Sequence, residues 1–323
     1  MKRRRVLAAG VALALAPRAA IAAPKANVQV GYLEFVKASD GERLYWEFVE
    51  GLASHGYVEG RNLRIVRRSA DGQRERLRSL APELATAKVN VILAASAEAA
   101  RSAKVAAPGI ATVFVVSSDP VLEGLVTSLS RPQGSLTGLV TRGEDLTAKR
   151  LQIIKEAFPR IRTVAIVGSN LAMSRVAFDE AARRLQLEVL QFPVHQVDDY
   201  RDAAAAIARS AADAVLVVED ADAVTNLYAF TRLMMATRRP VMFNADVFVQ
   251  GEGWGLMAYG VSLRQQYRRA ADLAARLLSG AKPSDIPVEF PTRYELVVNL
   301  KAAEEYAIVL PRDFLVRVDR VIR

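Results

Sequence analysis

The side chains best suited to binding chemistry follow short apolar runs that are predicted to be β-strands. Serine, asparagine, aspartate and glutamate recur at these positions, and they can offer hydroxyl, amide and carboxylate groups to a small ligand. The candidate ligand-binding residues are Tyr32, Ser96, Ala97, Ser118, Asp119, Thr141, Asn170, Glu219, Asp220, Asn244 and Asp246. Each one alone is also explained as a helix cap or turn residue. Their recurrence after successive strands favours one shared site.

The types of these residues indicate the ligand. Ser96 opens a predicted helix, whose first backbone amides can hold an anionic group such as a carboxylate without an arginine. Acidic residues after other strands would place negative charge around the same site, which suits an ammonium group. The predicted apolar walls are Tyr32, Trp254 and Tyr259. This combination predicts an amino acid, while a sugar or polyol would use the same acids and amides as hydrogen-bond partners. A carboxylate is a further alternative solute.

The elements that position these residues form two similar sets. The predicted strands span 28–33, 63–68, 89–95 and 111–116, then 163–168, 187–192, 213–218 and 239–244. Runs such as 89–95 are apolar on both faces, as buried parallel strands are. Segments of helical period lie between them, for example 74–87. This alternation predicts an α/β fold with two similar doubly wound parallel-sheet lobes.

Three segments are predicted to connect the lobes. Stretches 119–144 and 251–260 are rich in glycine and proline, and an irregular stretch 281–295 follows a predicted helix over 262–279. Three crossings describe a two-lobed clamp with its hinge near Gly138, Ser262 and Pro291. The predicted first lobe is 25–138 plus 263–291, and the second is 139–262 plus 292–323.

The first 22 residues are predicted to be a signal peptide. They carry five of the chain's 44 basic residues and no acidic one, so the remainder has only a small positive excess. A basic start precedes the apolar run 6–16, and Ala20-Ile21-Ala22 matches a cleavage site. We therefore expect export to the periplasm and cleavage near Ala22, by either the general or the twin-arginine route. No later apolar stretch is long enough to suggest a membrane-spanning helix.

Several classes of function lack their motifs. The chain has no glycine-rich loop for a dinucleotide or a nucleoside triphosphate, no zinc-protease motif and no G-x-S-x-G. It has no cysteine and only two histidines, so we expect no metal site, no cofactor and no thiol chemistry. A basic stripe interleaved with aromatic residues is missing, which argues against nucleic acid as a partner.

Several segments resemble the ABC-transporter substrate-binding proteins of the periplasmic-binding type I fold, in particular relatives that bind tryptophan, phenylalanine or tyrosine. The matching segments are 56–63 (GYVEGRNL), 73–94, 118–139, 149–167, 253–263 and 280–311. Within them, Ser118-Asp119-Pro120 matches a family motif, which implies that Asp119 contacts the ligand. Ser96 stands where the family has a hydroxyl residue before a helix.

The resemblance implies a binding protein, not an enzyme, that closes on a small solute between its lobes and docks on a membrane permease. Because such a clamp must open, we expect a monomer. Two other functions stay open from the residues. A ligand-sensing module for a membrane receptor would use the same site, and an exported hydrolase could use paired carboxylates for acid and base catalysis.

Overall fold

Apolar β-branched runs form the strands of two separate sheets, and the helices between them cover the sheet faces. The computed structural model of the chain describes residues 27–141, 146–168, 171–194, 196, 198–218, 223–224, 226–250 and 254–323, and only the backbone of 172–177. The predicted signal peptide thus lies outside the described residues. Within the described part of the chain, no helix is both long and apolar enough to cross a bilayer.

The first sheet is built from the first third of the chain. Its elements are β1 (Val28–Glu34), α1 (Ala38–Ser54), β2 (Leu63–Ser69), α2 (Arg74–Thr86), β3 (Val91–Ala94), α3 (Ala97–Ala106), β4 (Ala111–Val116) and β5 (Leu136–Val140). The strand order is β2-β1-β3-β4-β5, and every pairing is parallel. The carboxyl ends of its strands therefore meet at one edge.

The second sheet has seven strands. It begins with α4 (Thr147–Ala157), β6 (Thr163–Gly168), α5 (Leu171–Leu185), β7 (Glu188–Pro193), α6 (Asp199–Arg209), β8 (Ala214–Val217), α7 (Leu227–Ala236) and β9 (Val241–Phe243). It continues through a 3₁₀ helix (Asp246–Val249) to β10 (Met257–Gly260), and then, after α8 (Leu263–Leu278) and a second 3₁₀ helix (Pro283–Asp285), to β11 (Glu295–Asn299), α9 (Leu300–Glu305), α10 (Arg312–Leu315) and β12 (Arg320–Ile322). The order is β12-β11-β10-β9-β8-β6-β7, and only the β10–β11 pairing is antiparallel.

All eight predicted strands are present, but β5 and β10 lie in stretches that the sequence predicted to be loops. The glycine content of these two stretches was the reason for predicting loops. A Cβ atom on Gly138 would lie 2.2 Å from the carbonyl oxygen of Phe114, and one on Gly260 would lie 1.9 Å from that of Asn244. These glycines permit close approach between neighbouring strands rather than a turn. The predicted lobe boundary after residue 138 falls inside β5.

Helix α8 returns the chain to the first lobe. It follows β10 of the second sheet, yet it packs along α1, where Gly51 leaves room for the methyl group of Ala271. The chain then runs beside β5, where the Val140 amide donates to the Glu289 carbonyl at 2.9 Å, before it enters β11. The lobes are therefore joined after β5, after β10 and before β11.

Candidate solute-binding cleft

A cavity of about 830 Å³ lies between the two sheets, at the carboxyl ends of the first sheet's strands. The first lobe contributes α1 and the residues that follow β1, β3, β4 and β5. The second lobe contributes the start of α7, the first 3₁₀ helix and Trp254. Five of the predicted residues line it: Tyr32, Ser96, Ala97, Ser118 and Thr141.

The N-terminus of α3 opens into the cavity. The hydroxyl oxygen of Ser96 accepts a hydrogen bond from the Ala99 amide at 3.0 Å and so caps the helix. The helix itself supplies no acceptor for the amides of Ala97 and Glu98, because the first turn of a helix lacks intrahelical partners. These two amides and the positive end of the helix dipole suit an anionic group.

Two hydroxyl groups of the first lobe line the same cavity as this helix end. The Thr141 hydroxyl donates to the Val116 carbonyl at 3.2 Å. The Ser118 hydroxyl is buried and has no hydrogen-bond partner among the described residues. A buried hydroxyl without a partner is costly, so Ser118 is suited to bond with a solute that enters the cavity.

Glu34, at the end of β1, lines the cavity and pairs with Arg67 of β2. The Arg67 Nε and Nη2 atoms lie 2.6 and 3.3 Å from the two carboxylate oxygens of Glu34, and Nη1 lies 2.5 Å from Glu42. The guanidinium carbon lies 4.3 Å from the ring centroid of Tyr45. Burial raises the pKa of Glu34 to about 7, although the hydrogen bonds from Arg67 act in the opposite direction.

Buried tyrosines continue this wall. The hydroxyl groups of Tyr32 and Tyr267 are hydrogen-bonded to each other, and burial raises the pKa of both. Both side chains therefore stay neutral at physiological pH. The Tyr32 ring also meets Tyr45 edge to face, with 5.2 Å between the ring centroids.

Exposed aromatic side chains form the rim of the cavity in both lobes. Trp46 of α1 is 47% exposed, and Tyr228 of α7 is 58% exposed. Tyr228 meets Trp254 edge to face at 6.4 Å between centroids. Large aromatic residues left exposed in this way are suited to cover an apolar ligand. Sequence analysis identified Trp254 and missed Trp46 and Tyr228, which lie on helices rather than at strand ends.

A second carboxylate near the cavity, that of Glu47, is buried and ties α1 to α8. Burial acts to raise its pKa, but hydrogen bonds from Arg268 and Arg264 outweigh this effect and hold the pKa below its usual value. Glu47 is therefore an ionised structural group in the cleft wall. Asp40 also lines the cavity, and its carboxylate accepts a hydrogen bond from the Ser39 hydroxyl at 3.2 Å.

Three predicted residues lie outside the cavity lining. Asp119 is exposed, and its carboxylate accepts from the amides of Val121 at 2.8 Å and Leu122 at 3.2 Å, so it shapes the loop after β4. Asn244 and Asp246 follow β9, and Asp246 is buried in a polar network. A strand-end position brings a residue to the right edge without aiming its side chain at the cleft.

The remaining predicted residues, Asn170, Glu219 and Asp220, lie outside the described residues. Within the described ranges, no cluster of three or more histidine, aspartate or glutamate side chains is arranged to hold a metal ion.

The comparisons with known proteins agree with this architecture. The family model for ABC transporter substrate binding proteins matches residues 29–322. The chain belongs to this family. It is a family of solute-binding proteins, and the two-lobed α/β fold predicted from the sequence is confirmed.

Individual relatives are distant but cover nearly all of the described fold. The "Tyrosine-binding protein" of Clostridioides difficile (strain R20291) is 22% identical over 279 residues, which are 85% of this chain and 79% of that protein. A crystal structure of an ABC domain with L-Trp from Streptococcus pneumonia has a TM-score of 0.78 at 22% identity, covering 92% of this chain and 100% of the other. A conserved domain protein from Vibrio cholerae has a TM-score of 0.77 at 22% identity, covering 91% and 99%.

Proposed function

We propose that this substrate-binding protein captures an aromatic amino acid or a related compound between its lobes. The observation that carries the proposal is the cavity of about 830 Å³, which both lobes line and which exposed aromatic side chains border. Its volume lies in the range of about 300–1,000 Å³ that small-molecule sites occupy. The tyrosine-binding relative and the L-Trp complex support the same class of solute.

The polar groups of the cleft suit the two charges of an amino acid. The free amides at the start of α3 and the Ser118 hydroxyl would hold the carboxylate. The carboxylate of Asp40 would attract the ammonium group. Trp46 and Tyr228 would cover the aromatic side chain from opposite lobes. A solute that contacts both lobes favours the closed clamp by its differential affinity for that state.

We further propose that the protein is exported to the periplasm, where its signal peptide is removed near Ala22, and that the closed monomer delivers its solute to a membrane permease for import. The export proposal rests on the basic, apolar and small-residue order of the first 22 residues. The permease step rests on membership of the ABC transporter family. Solute binding requires no covalent step, so we expect no turnover.

The test begins with mass spectrometry of protein purified from its export compartment, under native and then denaturing conditions. We expect release of a small molecule with the mass of an amino acid. Protein that has been unfolded, dialysed and refolded is then titrated by calorimetry with the twenty L-amino acids, with sugars and polyols, and with dicarboxylates. We expect an aromatic amino acid to bind most tightly. If no amino acid binds more tightly than ~1 mM, about −4 kcal/mol, the proposal is wrong.

A further inference from the structure

The carboxylate of Asp246 joins four groups from three parts of the chain. The side chain is buried, with 2% of the residue exposed. Oδ2 accepts hydrogen bonds from Gln250 Nε2 at 2.7 Å, from Ser262 Oγ at 3.0 Å and from Arg320 Nη2 at 3.0 Å. Oδ1 accepts from the Leu263 amide at 3.2 Å. One side chain thus connects the segment after β9, the second crossing between the lobes and the strand β12.

The contact with the second crossing is at the point where α8 begins. Ser262 is the N-cap of α8, and its hydroxyl oxygen also accepts from the Gln265 amide at 3.4 Å. Asp246 therefore fixes the start of a first-lobe helix to the second lobe. On the other side, Arg320 anchors the same carboxylate to the edge strand β12. These contacts make Asp246 a fixed point of the hinge.

From this point the network extends across the cleft through Gln250. Gln250 is buried, and its Nε2 atom is held by Asp246, so its Oε1 atom faces outward. Arg43 Nη1, on α1 of the first lobe, donates to Oε1 at 2.8 Å. A glutamine amide has distinct donor and acceptor ends, so an acceptor at one end fixes which end meets the arginine.

We propose that Asp246 is a positioning residue for solute capture, and that it holds Gln250 so that the Arg43–Gln250 hydrogen bond favours the closed clamp. This inference rests on the proposed solute-binding function. It gives Asp246 a role other than the ligand contact that the sequence predicted. The contact is made by protein groups alone, so it can form without solute and set how much of the free protein is already closed.

The chemistry of the Arg43–Gln250 hydrogen bond suits a contact between the lobes that forms and breaks reversibly. Arg43 is a permanent cation, but its acceptor is a neutral amide rather than a carboxylate. A hydrogen bond between a charged and a neutral group is worth enough to shift a two-state ratio by roughly tenfold, which leaves both states accessible. The cavity lies beside the contact, and both Arg43 and Gln250 line it.

The experiment measures the distance between the lobes without any solute. The sequence has no cysteine, so Leu122→Cys in the first lobe and Ala229→Cys on α7 carry two spin labels at exposed positions. The protein is first unfolded, dialysed and refolded to remove any solute. Pulsed electron paramagnetic resonance then gives the populations of short and long distances between the two labels. The background variant is compared with Arg43→Ala, Asp246→Asn and the combination of both. Arg78→Ala, at an exposed arginine of α2 in the same lobe, is the matched control.

We expect Arg43→Ala and Asp246→Asn each to move the closed-to-open ratio roughly tenfold toward open, the combined variant to add little more, and Arg78→Ala to change nothing. An unchanged ratio in Arg43→Ala, a fully additive combined variant, or a solute-free protein with only the open population would overturn the inference. So would an Asp246→Asn protein that melts earlier yet keeps the original distances, because that result indicates a purely structural role. No arm contains solute, so failure here is separable from failure of the amino-acid titration.

Discussion

At the scale of single residues, Ser96 combines two roles that substitution can separate. Its hydroxyl caps α3, which stabilises the fold, and it stands beside the amides proposed to hold the solute's carboxylate. Aspartate and asparagine cap helices about as well as serine. Aspartate carries a negative charge and asparagine does not, so only aspartate should repel an anionic ligand.

We therefore expect Ser96→Asp to leave the free energy of unfolding within about 1 kcal/mol of wild type. The dissociation constant of the tightest-binding amino acid should rise at least tenfold, since juxtaposed like charges cost several kcal/mol. Calorimetry with that amino acid, and with the amine that lacks its carboxylate, measures both effects. Ser96→Asn is the neutral control. The assigned carboxylate position would be contradicted if Ser96→Asp and Ser96→Asn lost the same affinity for the amino acid. It would also be contradicted if Ser96→Asp lost as much affinity for the amine as for the amino acid.

Glu34 gives a prediction about pH. Burial raises its pKa from 4.5 to about 7, so between these values the folded protein holds a proton that the unfolded chain has released. The folded state therefore loses stability as the pH rises through this window. We expect the free energy of unfolding of wild type to fall, relative to that of Glu34→Gln, by roughly 3 kcal/mol between pH 4.5 and 7.5.

Urea unfolding at several pH values between 4.5 and 8 checks this difference. Glu42→Gln is the matched control because Glu42 binds the same Arg67, yet this hydrogen bond lowers its pKa. The stability that Glu42 contributes is present above its ordinary pKa and is lost only at more acidic pH. Parallel curves for wild type and Glu34→Gln would show that Arg67 keeps Glu34 ionised throughout.

At the scale of elements, the sequence predicted strands well where both faces are apolar and poorly where glycine interrupts them. The β3 and β4 runs are continuous apolar segments, and the structure has them as buried central strands. β5 contains Gly138, and the local sequence around this glycine predicts a loop. Whether a glycine marks a turn or a close strand contact depends on the neighbour across the sheet, and that neighbour is known only once the strands are paired.

The residues of the cleft were also predictable only in part from the sequence. Residues such as Ser96 and Ser118 follow strands, and the edge rule for parallel sheets brings them together. The Glu34–Arg67 pair spans 33 residues and the Arg43–Gln250 contact spans 207, so local sequence patterns carry no sign of either. Their positions follow from the packing of α1 and the crossings.

For Gly138 we expect substitution by alanine to cost 1–3 kcal/mol of unfolding free energy, about the cost of overpacking a tight site. The added Cβ would meet the backbone of Phe114, which cannot move without disturbing β4. Gly109→Ala is the control, because a Cβ there has no neighbour within 4 Å. It should be neutral or stabilise by up to about 1 kcal/mol. Urea unfolding measures both variants, and equal effects would argue against the close β4–β5 contact.

At the scale of the whole molecule, three crossings near one side of the cleft restrict how the lobes can move. A single linker would permit many relative orientations of the two lobes. Three connecting segments leave mainly rotation of one lobe against the other, about an axis through the crossings. The aromatic rim lies on both lobes, so under the proposed closure this rotation would bring Trp46 and Tyr228 toward the same solute.

We expect the radius of gyration, measured by small-angle X-ray scattering, to decrease when the solute identified by the panel is added. At 100 times its dissociation constant, the solute should also raise the free energy of unfolding by about 2.7 kcal/mol. Ser96→Asp, with its dissociation constant at least tenfold higher, should gain no more than about 1.4 kcal/mol at the same solute concentration. Saturated protein with an unchanged radius would contradict the clamp mechanism.

The return of α8 to the first lobe also governs how the chain folds. His55 and Glu47 of the α1 region bind Asp272 and Arg268 from more than 200 residues later. The first lobe therefore lacks one of its helices until most of the chain has been synthesised. Contacts of such sequence separation slow folding because a long loop must close before they form. A nascent or truncated chain that ends before Leu263 would leave the apolar face of α1 uncovered, so we expect no stable first lobe before α8 has been synthesised.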